Sequence, residues 1–243
     1  SLDDLEEFRD DPLLEAAMKG EVVAPRTIGD FLRDFRPEHL TQMNGYLSRM
    51  ARAIRSQLVA VQPDEFKPSQ ALVIDMDSTE HEQHGEKIEG CAYNYKGTWG
   101  LYSEIAFDEL GFCHGVNLES GNTKPGSTCL PLIDHCFSGL KFEQKKFFRA
   151  DSAYCYEGVI RKLMSLGVSY TIAAHDGTSG WRSHIEEITE WVPWVYSKEQ
   201  LEKAQKRGRT FSKVEIGRFH WQPSWAENIR IPVIVKRTWK EGE

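Results

Sequence analysis

The 243-residue chain has no run of about 18 apolar residues, the length a membrane-spanning helix requires. Its opening stretch, SLDDLEEFRDDPLLEAAMKG, is acidic and lacks the basic-then-apolar order of a secretory signal. There is no Cys-x-x-Cys pair. The five cysteines, Cys91, Cys113, Cys129, Cys136 and Cys155, are odd in number and scattered, which reads as free thiols in a reducing cytoplasm. No internal repeat or low-complexity segment is visible. Positive charge is also in deficit: the formal net charge is −7, which argues against a uniformly basic nucleic-acid binder while leaving room for a local basic surface.

What is present is globular composition, 40% hydrophobic and 28% charged, enough for one large domain or a core with a smaller module. The pattern divides into a helical N-terminal region (1–65), a mixed α/β core (66–175) and a β-rich C-terminal part carrying a basic helix (176–243). In the first part, DDPLLEAAMKG, PRTIGDFLRDF and PEHLTQMNGYLSRMARAIRSQL read as helices. Leu40, Met43, Leu47, Met50, Ile54 and Leu58 recur at helical spacing, and that stripe is expected to pack into the core. VQPDEFKPSQ (61–70), with two prolines, reads as a linker.

From residue 71 the period changes to that of strands. ALVIDMD is the first, and runs 97–109 and 111–120 form a hairpin around Leu110 and Gly111. A helix over 128–140, a strand KKFFRAD (145–151), a helix over 154–167 ending at Gly167 and a strand VSYTIAA (168–174) follow. The order is β-β-β-α-β-α-β.

The first strand carries two acids, and alternation puts Val73, Asp75 and Asp77 on one face, with Leu72, Ile74 and Met76 on the other. Two like charges at the end of a buried strand have two readings. One is a strand that reaches solvent and turns, with Asp-Ser-Thr as cap chemistry. The other is a divalent cation, which needs a further carboxylate from elsewhere. The fourth strand also ends in acid, Asp151. If the first and fourth strands are neighbours, as in the ribonuclease-H arrangement, those ends meet. Arg149 shares a face with Asp151 and is placed either to neutralise it or to meet a phosphate.

His81-x-x-His84 followed by Cys91 suggests zinc, but a fourth ligand at standard spacing is missing. His84-Gly85 reads instead as a loop at the mouth of the acidic site. Residues 198–218 hold seven basic residues against three acidic ones, a solvated helix face or a phosphate-binding surface. Trp191, Trp194 and Trp221 lie near that charge, placed to pack a small β core or to contact DNA, and core packing is the expectation.

IDMDST, HGEKIEGCAYNYKGTWGLYSEIAF, GVNLESGNT and FFRADSAYC, in that order, resemble the successive blocks of bacterial insertion-sequence transposases of the DDE type (transposase DDE domain group 1), over most of residues 10–175. The resemblance implies a ribonuclease-H-like mixed sheet with flanking helices, an N-terminal helical region and a C-terminal β-rich insertion. It implies cut-and-paste cleavage and joining of double-stranded DNA at mobile-element ends, with Mg2+ or Mn2+ as cofactor, a homodimer as a possible assembly and a cytoplasmic, nucleoid-associated location. The first two family acids fall on Asp77 and Asp151. Asp75 is a supporting metal carboxylate, Ser78 and Thr79 orient Asp77, and His84 and Arg149 support the site. Lys203, Lys206, Arg207 and Arg209 are the expected DNA contacts. The third family acid, a glutamate beside Tyr and Arg, has no matching stretch here. Glu186, Glu187 and Glu190 are the substitutes within the chain, and a form lacking the last catalytic segment is the expectation. A non-catalytic DNA-binding or assembly protein derived from a transposase is the alternative.

Overall fold

A computed structural model describes residues 11–20, 22–62, 71–85, 87–140, 145–174, 180–208 and 213–239. The chain divides into two compact units, Ser1–Ile172 and Ala173–Glu243. The segment read as a linker lies, from residue 63 on, outside the described residues.

In the first unit, three helices lead: α1 (Pro12–Met18), α2 (Pro25–Arg33) and α3 (Pro37–Val61). Each opens on a proline, whose fixed φ suits the first turn and whose missing N–H is not needed there. Strand β1 (Ala71–Glu82) follows, and its alternation is as expected: Leu72, Ile74 and Met76 are buried, and Asp77 is exposed. The strand does not end at its acids. It runs on to Glu82 because β3 (Trp99–Asp108) pairs with it antiparallel from Ile74↔Asp108 to Glu82↔Gly100.

The expected hairpin joins β3 to β4 (Cys113–Ser120). Asp108 Oδ1 builds its turn by accepting the N–H groups of Leu110 (3.0 Å) and Phe112 (2.9 Å), and Gly111 supplies the positive φ of +86°. The short β2 (Ala92–Tyr93) also lies on β3, while β5 (Lys145–Ala150) and β6 (Ser169–Ile172) run parallel beyond β1. The sheet order is β2-β3-β1-β5-β6, with β4 also on β3. Antiparallel strands on one side of β1 and parallel strands on the other give the ribonuclease-H-like mixed sheet read from the sequence.

Helices α4 (Leu130–Phe137) and α5 (Glu157–Ser165) cover one face, where Leu132, Ile133, Phe137, Val159 and Leu163 meet Leu72, Ile74, Met76 and Phe148. Each such side chain contributes about 1.5–3 kcal/mol on burial.

Helix α3 departs from expectation. Leu40 (54% exposed), Met43, Met50 and Ile54 of its apolar stripe lie at the surface, and its buried residues are Asn44, Ser48 and Ala51. The reason lies in what α3 meets. The outer edge of β4 offers unpaired backbone, and Asn44 satisfies it: its Nδ2 donates to Val116 O and its Oδ1 accepts from Val116 N, both at 2.9 Å. Gly115 permits this approach, since a Cβ there would fall 2.6 Å from Leu132 Cδ1 and 3.2 Å from Asn44 Oδ1. Beside it, buried His114 lies between Ser48 Oγ (3.3 Å) and Asp108 Oδ2 (3.2 Å), and Arg55 reaches both Asp108 (3.5 Å) and Glu109. Asn44→Ala removes two hydrogen bonds to Val116 and is expected to destabilise by about 1–3 kcal/mol. Met43→Gln, on the exposed stripe, should change stability by less than about 0.5 kcal/mol. Urea unfolding of the two variants checks the inversion: a larger loss at Met43 would restore the stripe to the core.

The second unit holds α6 (Trp181–Glu186), β7 (Val192–Pro193), α7 (Lys198–Lys206), β8 (Lys213–Trp221) and β9 (Ile231–Trp239). The last three strands form an antiparallel sheet in the order β7-β8-β9. Trp221 packs edge-on against Trp181 and Trp225, and the Arg237 guanidinium lies 3.8 Å over the Trp191 ring. Those two tryptophans pack as expected, whereas Trp194 is half exposed.

Candidate metal and nucleic-acid site

Alternation along β1 sends Asp75, Asp77 and Thr79 to the sheet face opposite α4 and α5. On β5, Arg149 is the register partner of Asp75, and Met76 pairs with Ala150. One residue further along both strands stand Asp77 and Asp151, where neighbouring strands are about 4.8 Å apart. Asp151 leaves the strand there as the N-cap of a 3-10 turn, Ser152–Tyr154, and its Oδ1 accepts Ala153 N–H at 2.9 Å. Asp77 Oδ1 accepts Ser78 N–H at 2.8 Å. Both acids are exposed. In each, one oxygen is oriented by a backbone amide, and Oδ2 has no hydrogen bond or ion pair among the described residues. Two oriented, exposed carboxylates are hard oxygen donors of the kind Mg2+ and Mn2+ take.

Asp75 is differently engaged. Arg149 holds it bidentately, Nε to Oδ1 and Nη2 to Oδ2, each at 2.5 Å. The carboxylate Arg149 neutralises is therefore Asp75 and not Asp151, the partner expected from the sequence. The orientation of Asp77 comes from the amide of Ser78, a residue that lies opposite Glu104 in the register on the core face. Thr79 lies opposite Ser103 in the register. His84 follows the end of β1 by two residues, and about 16 Å of strand separate Asp77 from Glu82. His84 is therefore well removed along the chain from the acids. His81 Nε2 bonds Ser103 Oγ at 2.8 Å. Among the described residues, no three His, Cys, Asp or Glu side chains are grouped to hold a metal.

In the second unit, α7 is capped by Ser197 and Gln200 and has no buried residue. Lys203 pairs with Glu199 at 2.6 Å; Lys206 and the C-cap Arg207 are exposed, and Arg209 lies outside the described residues. Glu186 pairs with Arg182 at 3.3 Å and Glu187 lies 3.9 Å from His184, so both are engaged on their own helix turn; Glu190 is exposed.

One buried acid escaped the sequence reading. Glu104 is fully buried, and burial pushes its carboxyl up from the ordinary range. Period-two alternation would have found it, because Tyr102, Glu104 and Ala106 share a strand face.

A family model described as transposase DDE domain group 1 matches residues 1–243. Similar solved structures include the Mos1 strand transfer complex, 13% identical, covering 86% of this chain and 70% of that one with a TM-score of 0.30. The Mos1 transposase paired-end complex with left transposon end is 12% identical with the same coverages and a TM-score of 0.28. No curated protein matches the chain. Among the described residues, no helix is long and apolar enough to cross a membrane.

Proposed function

We propose, for a chain that belongs to the transposase DDE domain group 1 family, that Asp77 and Asp151 form the metal-binding pair of a DNA strand-cleaving and strand-joining site. The observation that carries this reading is the parallel register of β1 and β5, whose last pair, Met76↔Ala150, leaves the two acids at equivalent next positions. A bound pair of divalent ions supplies activation of the attacking oxygen and stabilisation of the leaving one. The chain's own residues hold and aim. Asp77 and Asp151 present Oδ2, with Oδ1 tied to backbone amides. Asp75 stays back, neutralised by Arg149, and fixes that guanidinium on the face a phosphodiester would approach. Element-end DNA and target DNA are the proposed substrates, a homodimer the proposed assembly and the nucleoid the proposed location.

The absence of a three-member metal group among the described residues favours a second reading, a DNA-binding or assembly protein without cleavage. Mn2+ titration combined with a nicking assay on labelled duplex separates the two. Asp77-dependent nicking supports the enzyme; duplex binding with no metal-dependent nicking supports the second reading.

We assign DNA-phosphate contact to α7 and the residues after it. Replacing Lys203, Lys206, Arg207 and Arg209 with Ala is expected to weaken duplex binding and to lower the slope of log affinity against log salt by up to about 0.9 for each phosphate no longer neutralised. A quadruple variant with unchanged affinity and slope would return α7 to the role of a solvated surface helix.

A further inference from the structure

Glu104 lies on the face of the sheet opposite the acids, yet its register partner and its hydrogen-bond partners border the segments that hold both. Its Oε1 accepts Gly126 N–H at 2.7 Å and the Tyr102 hydroxyl at 3.2 Å, and its Oε2 accepts the Thr128 hydroxyl at 3.2 Å. No Lys or Arg hydrogen-bonds or pairs with it among the described residues. A buried carboxyl without a cationic partner contributes little to folding even when hydrogen-bonded.

Two paths leave it. Across the strands Glu104 is the register partner of Ser78, and the Ser78 amide holds Asp77 Oδ1. Through Gly126, Glu104 reaches the turn after β5. Gly126 has φ +77°, and a Cβ there would lie 2.7 Å from Ala153 O, so the two backbones are in direct contact. Gly126 O also accepts the Tyr156 hydroxyl at 2.5 Å, fastening the far side of the same turn. The Ala153 amide in turn holds Asp151 Oδ1. The two segments that carry the orienting amides thus both lie against Glu104 or its direct partner Gly126.

We propose that Glu104 is a positioning residue that sets the spacing and orientation of Asp77 and Asp151. This rests on the reading of those two acids as metal ligands. Glu104 itself is no ligand, because it shares the buried face with Ser78 rather than the open face with Asp77.

The test uses the full chain and four variants: Glu104→Ala, Glu104→Gln, Thr128→Val and Gly126→Ala. Mn2+ affinity is measured by titration, and amide hydrogen exchange is followed over residues 151–156. Groups behind a metal ligand typically change affinity by 10- to 100-fold. Glu104→Ala is expected to bind Mn2+ at least about tenfold more weakly and to exchange faster at Ala153. Glu104→Gln, which keeps the shape and can still accept from Gly126 N–H, should stay within about threefold of the parent. If Glu104→Ala does not fold, Thr128→Val and Gly126→Ala carry the same expectation of weaker binding and faster exchange at Ala153. A folded Glu104→Ala, or failing that both milder variants, with parental Mn2+ affinity and parental exchange at Ala153 overturns the proposal. A parent whose Mn2+ binding is absent, or is unchanged in Asp77→Asn, removes the metal-site reading and this proposal with it. Parental, Asp77-dependent binding that survives Glu104→Ala removes the proposal alone.

Discussion

Asp77→Asn is expected to lower Mn2+ affinity by more than about 100-fold and to abolish any metal-dependent nicking, because loss of a group merely supporting a ligand already costs 10- to 100-fold. The amide keeps the shape and the acceptor for Ser78 N–H while removing the charge a divalent cation needs. Asp151→Asn should match it, since Asp151 occupies the equivalent place on β5. Asp75→Asn should do less, because both Asp75 oxygens are held by Arg149. Titration of the parent and three variants, with unfolding curves alongside, ranks them. An affinity lost at Asp75 and kept at Asp77 would reverse the assignment. Robust nicking by this chain that depends on Asp77 would imply a further acid, and Glu186, Glu187 and Glu190 would be the first to substitute.

The second large effect is on stability. Asp108→Ala is expected to destabilise by about 3–5 kcal/mol, the range for removing one partner of a buried charge pair. The loss has several parts: two turn amides lose their acceptor, and His114 and Arg55 lose their anion. Burial acts to raise the Asp108 carboxyl, but the hydrogen bonds from His114 and the Phe112 amide outweigh it and hold the group below its usual value. The folded state therefore binds this proton less readily than the unfolded chain. The stabilisation is complete above the unfolded carboxylate range and is lost as pH falls through the folded value. Urea midpoints of the parent should fall on acidification through that range, and those of Asp108→Ala should fall less. A variant with unchanged midpoint at neutral pH, or an equal acid slope, would show that the α3–hairpin junction does not depend on this carboxylate.

The sheet was legible because its strands are bounded by strong local signals. Leu110-Gly111 marks the hairpin, Gly167 the end of α5, and the apolar runs around Ile74 and Phe148 the two central strands. The place of Asp77 was half legible. Alternation gave its face, but the sequence cannot say that β3 extends the pairing to Glu82, so a position inside a strand read as a strand end. The face of α3 was misread for a related reason. Apolar periodicity predicts burial only when the partner surface is apolar, and α3 meets a sheet edge that needs donors and acceptors. Alternation could have shown that Glu104 is buried, but not its partners Gly126 and Thr128, which are joined to it only by the fold.

The clasp of Asn44 on Val116 has a consequence for association. An outer strand normally offers its free backbone as a template, and a second chain can extend the sheet by lying alongside. Here an incoming strand would find Val116 already taken on both its N–H and its C=O, and would have to evict a helix to displace one side chain. Growth of the sheet past β4 is thereby discouraged at that position.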